Sequence, residues 1–186
     1  ITADCPLIDP EVVDQVITNL MSDSRNRISV NTAPPSYPDG LDCSAFYFSC
    51  LEEAENLAVS QFDREHVEPY ILRNNSDSLI NLKNNIDLSR LRLTLDEPID
   101  LVVIKGVLAS FRSEVEINAK TIENLWTRSP EIFNANLHLK RNEGAIMGTG
   151  QKLYRRAINV IPGATMLFSK RSENFLPEIW PAYFSK

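Results

Sequence analysis

The sequence has few residues of the kinds that build disulfide frameworks, zinc sites or membrane spans. Its 186 residues include three cysteines, Cys5, Cys43 and Cys50, and no two of them have the C-x-x-C spacing. An odd number of isolated cysteines argues against a disulfide framework and a zinc site, and predicts reduced thiols in a cytoplasmic protein. No apolar run approaches the roughly 18 residues of a transmembrane helix, so we expect neither a membrane span nor a signal peptide.

Basic residues are scarce in the first part of the chain, and acidic residues are scarce in the last part. The formal net charge is −6, yet acidic residues outnumber basic ones up to residue 110 and basic residues outnumber acidic ones after it. Such a shift indicates two units of different origin. The basic residues are scattered and no aromatic platform accompanies them, so nucleic acid is not an expected partner.

Two acidic residues each follow a strand-like run and precede a helix start. Asp4 comes shortly before Asp9-Pro10, and Asp96 ends the alternating run of residues 91–95. Strands interleaved with helices predict an α/β sandwich. If the ends of these strands are neighbours, Asp4 and Asp96 form a site for a hard cation such as Mg²⁺. Each could instead cap the following helix, although Asp9 already supplies a cap after Asp4.

Two other groups of polar residues are candidates for substrate binding. Asp39 and Asp42 lie in YPDGLD, where they could accept hydrogen bonds from sugar hydroxyls, although Pro-Asp-Gly is also a common turn. Glu65 and His66 follow Arg64 in a short charged segment, which could equally be a solvated helix end.

The pattern of predicted elements changes after about residue 115. Residues 117–126 are typical of a helix, Ser129-Pro130 of a second helix start, and Met147-Gly148-Thr149-Gly150 of a hinge. Residues 151–161 predict a basic amphipathic helix.

The motifs of the first part occur together, and in this order, in a known family. The stretches are ITADCPLIDPEVVD, YPDGLD, EEA, REHVEPYI and LRLTLDEPIDL. On these stretches, residues 1–105 resemble the C-terminal half of cytidylyltransferases of the spore-coat polysaccharide type. Those enzymes are relatives of the acylneuraminate and 3-deoxy-manno-octulosonate cytidylyltransferases.

The resemblance implies a partial Rossmann-like nucleotidyltransferase sandwich and an enzyme of cell-surface polysaccharide biosynthesis. Such an enzyme transfers CMP from CTP to a sugar or sugar acid and releases pyrophosphate. The two aspartates that hold Mg²⁺ in related enzymes correspond here to Asp4 and Asp96. The resemblance also implies sugar contacts from Asp39 and Asp42, and from Glu65 and His66.

The last part of the chain resembles a different family. Residues 148–186 contain GQKLYRRA, IPGATMLFSKR and FLPEIWPAYFSK, and they look like the N-terminal segment of a class III, pyridoxal-phosphate-dependent aminotransferase of the glutamate-1-semialdehyde type. NANLHLKRNEG resembles the connector between the two enzymes in fused proteins. The expected domains are therefore a cytidylyltransferase part over 1–115, a helical connector over 116–147 and an incomplete aminotransferase segment over 148–186.

Several parts of both families have no counterpart in the sequence. We find neither the strand and Gly/Arg/Lys-containing loop that grip the triphosphate nor a lysine that can be assigned to pyridoxal phosphate. The chain also begins without Met. We therefore expect a fragment that is inactive alone. Two alternatives stay open, an aminotransferase with an accessory cytidylyltransferase module and a non-catalytic scaffold, and a homodimer is one assembly that the sequence allows.

Overall fold

The computed structural model describes residues 1–111, 116–141, 156–158 and 160–161. The chain divides into two compact units, Ile1–His138 and Leu139–Lys186. In the second unit the described residues include one helical turn at 156–158, where the amide of Ile161 donates to the carbonyl of Ala157 at 2.7 Å. The predicted hinge at 147–150, most of the predicted helix at 151–161 and most of the aminotransferase-like segment lie outside the described residues.

The first unit contains a small mixed sheet. Strand β1 spans Ile28–Val30, β2 spans Ser44–Phe46 and β3 spans Leu79–Asn81. The strand order is β2-β1-β3, with β1 antiparallel to β2 and parallel to β3. All three residues of β1 are buried, as expected for a central strand.

The described residues of the first unit also form six α-helices. They are α1 at Pro10–Met21, α2 at Phe48–Leu57, α3 at Gln61–Glu65, α4 at Val67–Asn74, α5 at Pro98–Ser110 and α6 at Ala119–Arg128. Short 3₁₀ turns span Ser76–Ser78 and Pro130–Phe133. Together with the sheet, these helices confirm a mixed α/β architecture. No helix among the described residues is long and apolar enough to cross a membrane.

Helices α1 and α5 begin as the sequence predicts, because each has proline at its first position. The Asp9 side chain caps α1 by accepting from the amide of Glu11 at 2.8 Å. At the start of α5, Asp100 accepts from the amide of Glu97 at 2.8 Å. Both helices therefore have a carboxylate where their first amide groups need an acceptor.

The apolar side chains form two separate clusters. The larger one packs α5 and α6 against residues 88–93, and it includes Leu91, Leu93, Val103, Ile122 and Phe133. The smaller one packs α2 and α4 against the sheet through Ile28, Val30, Cys50, Ala54 and Ile71. Because Ile122 and Phe133 are fully buried in the larger cluster, α6 and the turn after it are part of the first unit's core. The predicted boundary at residue 115, between the cytidylyltransferase part and the helical connector, stays a prediction.

The run at residues 91–95 differs from the expected half-buried strand. It is extended, but its one strand-type pairing is an isolated parallel bridge between Asp39 and Arg92. Arg92 and Thr94 are buried, whereas Leu95 is 41% exposed. The expected alternation of buried and exposed residues is absent because the polar side chains of Arg92 and Thr94 form hydrogen bonds within the protein, so they can be buried.

Candidate functional site

Asp4 and Asp96 lie next to each other at one edge of the first unit. The amide of Leu95 donates to the carbonyl of Asp4 at 2.8 Å, and the Thr94 hydroxyl donates to the same carbonyl at 3.2 Å. These bonds bring the turn around Asp4 to the end of the 91–95 segment. The side chain of Asp96 is then close enough to that of Asp4 to affect its pKa. The structure thus brings together the two residues that the sequence predicted as metal ligands.

The electrostatics of this pair favour a bound cation. A hydrogen bond from the Thr2 side chain lowers the pKa of Asp4 below its ordinary value, against a smaller opposing effect of burial, and a contact with Thr94 lowers it further. Asp4 is therefore ionised near neutral pH. Two neighbouring carboxylates repel each other unless a proton or a cation lies between them.

Arg92 is buried directly behind Asp96. Its Nη2 donates to Oδ2 of Asp96 at 2.8 Å, and its Nη1 donates to Oδ2 of Asp39 at 3.1 Å. Nε and Nη2 also donate to the two carboxylate oxygens of Asp100, at 3.0 and 3.1 Å. One guanidinium therefore joins three carboxylates that come from three different segments of the chain.

Asp100 is the most enclosed member of this group, with a side chain that is 0% exposed. Besides Arg92, its oxygens accept from the amides of Asp96 and Glu97 and from the side chain of Asn136 at 2.8 Å. Burial raises the pKa of Asp100, but the hydrogen bonds from Arg92 and these other donors outweigh it, and the net pKa is lowered. Asp100 is thus a buried anion that holds the turn after residue 95 in place.

The predicted sugar-binding aspartates have different environments. Asp39 is buried and paired with Arg92. Asp42 is half-buried. The pKa of the Cys5 thiol is raised mainly by burial, and the nearby charges of Asp4, Asp42 and Asp39 raise it further. The loop therefore reaches the same edge as Asp4, with Asp42 as its more accessible carboxylate.

A glycine fixes the position of that loop. Gly40 has a φ of 102°, in the region that L side chains rarely adopt. A Cβ placed on it would lie 2.4 Å from the carbonyl carbon of Leu93 and 2.5 Å from the amide of Thr94. The absence of a side chain at Gly40 lets the YPDGLD loop approach the backbone of the 91–95 segment.

The second predicted sugar-binding pair is only partly described. The side chain of Glu65 lies outside the described residues. His66 joins α3 to α4, and its ring lies 4.9 Å from that of Phe62. On the next turn, Glu68 accepts a hydrogen bond from the Ser44 hydroxyl, close behind Asp42 in sequence. Glu68 is therefore an additional acidic side chain near this loop that the sequence pattern did not single out.

An open polar cavity of about 390 Å³ lies elsewhere in the first unit, beside the N-termini of α1 and α6. Asp9, Tyr37, Lys83, Lys120 and Glu123 are among its lining residues. None of the six predicted site residues lines it, and its charges are of both signs. It is a separate feature from the aspartate pair.

The residues at the aspartate pair fit Mg²⁺ better than a transition metal. No group of three or more histidine, cysteine or acidic side chains within the described part of the chain could hold a metal ion. Two carboxylates are nevertheless the protein ligands that Mg²⁺ often has when water and phosphate oxygens complete its shell. Asp4 and Asp96 would hold the ion.

The fold of the chain resembles part of a cytidylyltransferase. The structure matches a cytidylyltransferase from Leptospira borgpetersenii serovar Hardjo-bovis (strain JB197), with a TM-score of 0.67 and 27% sequence identity over 72% of this chain and 56% of that protein. This match confirms the cytidylyltransferase-like fold predicted from the sequence motifs. The spore-coat type and the aminotransferase fusion stay predictions.

One sequence relative also aligns with the chain. It is an uncharacterized protein of Methanocaldococcus jannaschii, 28% identical over 144 residues, which cover 76% of this chain and 57% of the relative. No protein-family model matches the chain. The chain thus spans little more than half the length of both proteins that it matches.

Proposed function

We propose that this chain provides part of the catalytic site of a cytidylyltransferase that transfers CMP from CTP to a sugar or sugar acid for a cell-surface polysaccharide. The main support is the meeting of Asp4 and Asp96, which the sequence places at opposite ends of the first hundred residues. The match to a solved cytidylyltransferase supports the same reaction class.

The charge of this edge explains why such a site needs a divalent cation. Asp4, Asp39, Asp42 and Asp96 all lie at or near it, so an uncompensated triphosphate would be repelled. The cation at this edge, Arg92, is buried among three carboxylates and cannot also bind phosphate. When bound, Mg²⁺ would supply the positive charge that stabilises the phosphoryl-transfer transition state.

The polar residues beside the aspartate pair would bind the sugar. Asp42, which lies near Cys5 together with Asp4, would accept hydrogen bonds from sugar hydroxyls, and Glu68 is a further candidate beside Ser44 of β2. Asp39 is already paired with Arg92, so its contribution is to fix the loop while Asp42 contacts substrate. His66 and Glu65 remain candidates on the same connection between α3 and α4.

Metal binding by the chain itself tests the proposed site. We expect Mn²⁺, used in place of Mg²⁺, to bind one site, measured as the loss of free Mn²⁺ signal in electron paramagnetic resonance. Asp4→Asn and Asp96→Asn should each weaken binding by about tenfold or more, because each removes one of two protein ligands. Asp14→Asn, an exposed carboxylate on α1, is the matched control and should bind like the wild type. Unchanged affinity in both site variants would refute the metal site.

A nucleotide assay tests the reaction class. Because the triphosphate-gripping loop has no counterpart in the sequence, we expect the 186-residue chain to release no pyrophosphate from CTP, Mg²⁺ and sugar acids. In an intact protein that contains this chain, the same assay should show pyrophosphate release that Asp4→Asn and Asp96→Asn abolish. Activity that survives both substitutions would show that the reaction uses other residues.

A further inference from the structure

We propose that Arg92 is a positioning residue that holds the Asp96 carboxylate in the orientation that metal binding requires. This inference rests on the proposed function, because it assigns a role to Arg92 only if Asp96 is a metal ligand. Arg92 is not among the site residues predicted from the sequence.

The first step of the argument is the exposure of Asp96. Its side chain is 49% exposed, and it lies in a turn between the 91–95 segment and α5. An aspartate side chain with this much freedom loses conformational entropy when it binds a metal ion. A contact that fixes the side chain beforehand lowers that cost.

The second step is the geometry of the contact. Arg92 is 8% exposed at its side chain, and Nη2 donates to one oxygen of Asp96, Oδ2, at 2.8 Å. A carboxylate has two oxygens, so the one that accepts from Arg92 is fixed and the other remains available to a cation. The hydrogen bond thus orients the Asp96 carboxylate and leaves its second oxygen available to the metal ion.

The third step is the support behind the guanidinium. Asp100 accepts from both Nε and Nη2, and Asp39 accepts from Nη1. A planar guanidinium held at three nitrogens cannot rotate. Asn136 fixes Asp100 in turn, and its side chain also donates to the carbonyl of Arg92 at 3.1 Å. The position of Asp96 is therefore set by a rigid, buried group.

The fourth step is the balance of charge. Asp39 and Asp100 surround Arg92 with two negative charges before Asp96 is counted. The positive charge of Arg92 is thus offset from behind, so its contact with Asp96 does not make the site repel a cation. An arginine without these two partners would compete with the metal ion for Asp96.

The test measures Mn²⁺ affinity in two variants that lose the set of hydrogen bonds made by the Arg92 guanidinium. Arg92→Lys keeps the charge but cannot reach Asp39, Asp96 and Asp100 together. Arg92→Met combined with Asp39→Asn and Asp100→Asn removes the buried ion pairs as a unit, which folded proteins often tolerate. We expect both to keep a native circular dichroism spectrum and to bind Mn²⁺ about tenfold more weakly, the size of effect seen for residues that orient metal ligands.

Two controls separate positioning from general destabilisation. Ile122→Ala removes a fully buried side chain of the larger apolar cluster, and it should reduce stability while leaving Mn²⁺ affinity unchanged. In an Asp96→Asn background, Arg92→Lys should have no further effect on affinity, because the residue that it positions is gone.

The outcomes are distinct. Wild-type affinity in both Arg92 variants, with weakened binding in Asp96→Asn, would overturn the positioning role and leave the metal site intact. Equal weakening in Ile122→Ala would also overturn it, since general destabilisation would then explain the loss. Wild-type affinity in Asp96→Asn itself would refute the proposed site, and the role of Arg92 with it.

Discussion

The aspartates around Arg92 differ sharply in burial although they share one guanidinium. Asp100 is fully enclosed, and its two oxygens accept five hydrogen bonds from protein groups. Asp96 is about half exposed, and its neighbour across the site is a second carboxylate. The buried acid is satisfied by the fold, whereas the exposed acid lies beside another negative charge. This difference separates a structural carboxylate from one that is available to a ligand.

Removal of the buried acid should have the largest effect. Asp100→Ala leaves Arg92 and two backbone amides with lost partners, so the free energy of unfolding should fall by about 3–5 kcal/mol. Urea denaturation followed by circular dichroism measures this change. The matched control is Asp96→Asn, which touches the same guanidinium from the solvent side and should cost less than about 1 kcal/mol. Equal losses in the two variants would mean that burial does not distinguish them.

The loop that brings Asp39 to Arg92 should be the next most sensitive. Gly40→Ala forces a side chain into a positive-φ position and against the Leu93 carbonyl group, and we expect a loss of about 2–4 kcal/mol. The control is Gly106→Ala within α5, where the new Cβ would meet only the Ile132 side chain at 3.0 Å. The better helix propensity of alanine should keep the change there within about 1 kcal/mol. A Gly40→Ala variant as stable as the wild type would contradict the described loop.

Acidification should give the smallest effect and should act through the same buried acid. The folded-state pKa of Asp100 lies below its ordinary value of 3.8, so its stabilising contribution is complete above that value. The contribution is lost as the pH falls through the lowered pKa. The stability gap between the wild type and Asp100→Asn, measured by urea denaturation, should stay constant from pH 7 to about pH 5 and narrow below about pH 4. A gap that widens on acidification would show that Asp100 is not a stabilising anion.

Local patterns in the sequence predicted the helix starts and the pairing of Asp4 with Asp96. Asp9-Pro10 and Pro98 carry their signal within a few residues, and the structure places α1 and α5 there. The predicted strands before the two site aspartates are not present, because Asp4 lies in a turn and the 91–95 segment pairs through a single bridge, yet the two residues still lie together. The match to a solved cytidylyltransferase then confirmed the type of fold that the motifs implied.

The burial of Arg92 could not be predicted in the same way. Its partner Asp39 is 53 residues away in sequence, and an arginine between two leucines is typical of the solvent face of a strand. The role of Asp100 was hidden for a related reason, because an acid in the first turn of a helix is expected to be a surface feature. Contacts between distant segments of the chain determine both the burial of Arg92 and the role of Asp100. Such contacts leave no local pattern in a single sequence.

The Asp9 carboxylate has a second partner besides the amide of Glu11. Its other oxygen accepts from the amide of Ala119, the first residue of α6, at 2.8 Å and across 110 residues of chain. Such a contact can form only after a long loop has closed, which places it late in folding. During synthesis, the Asp9 carboxylate therefore gains this second partner only after residue 119 has been added to the chain. A ribosome that pauses before residue 119 would hold a nascent chain whose first unit is still unfinished.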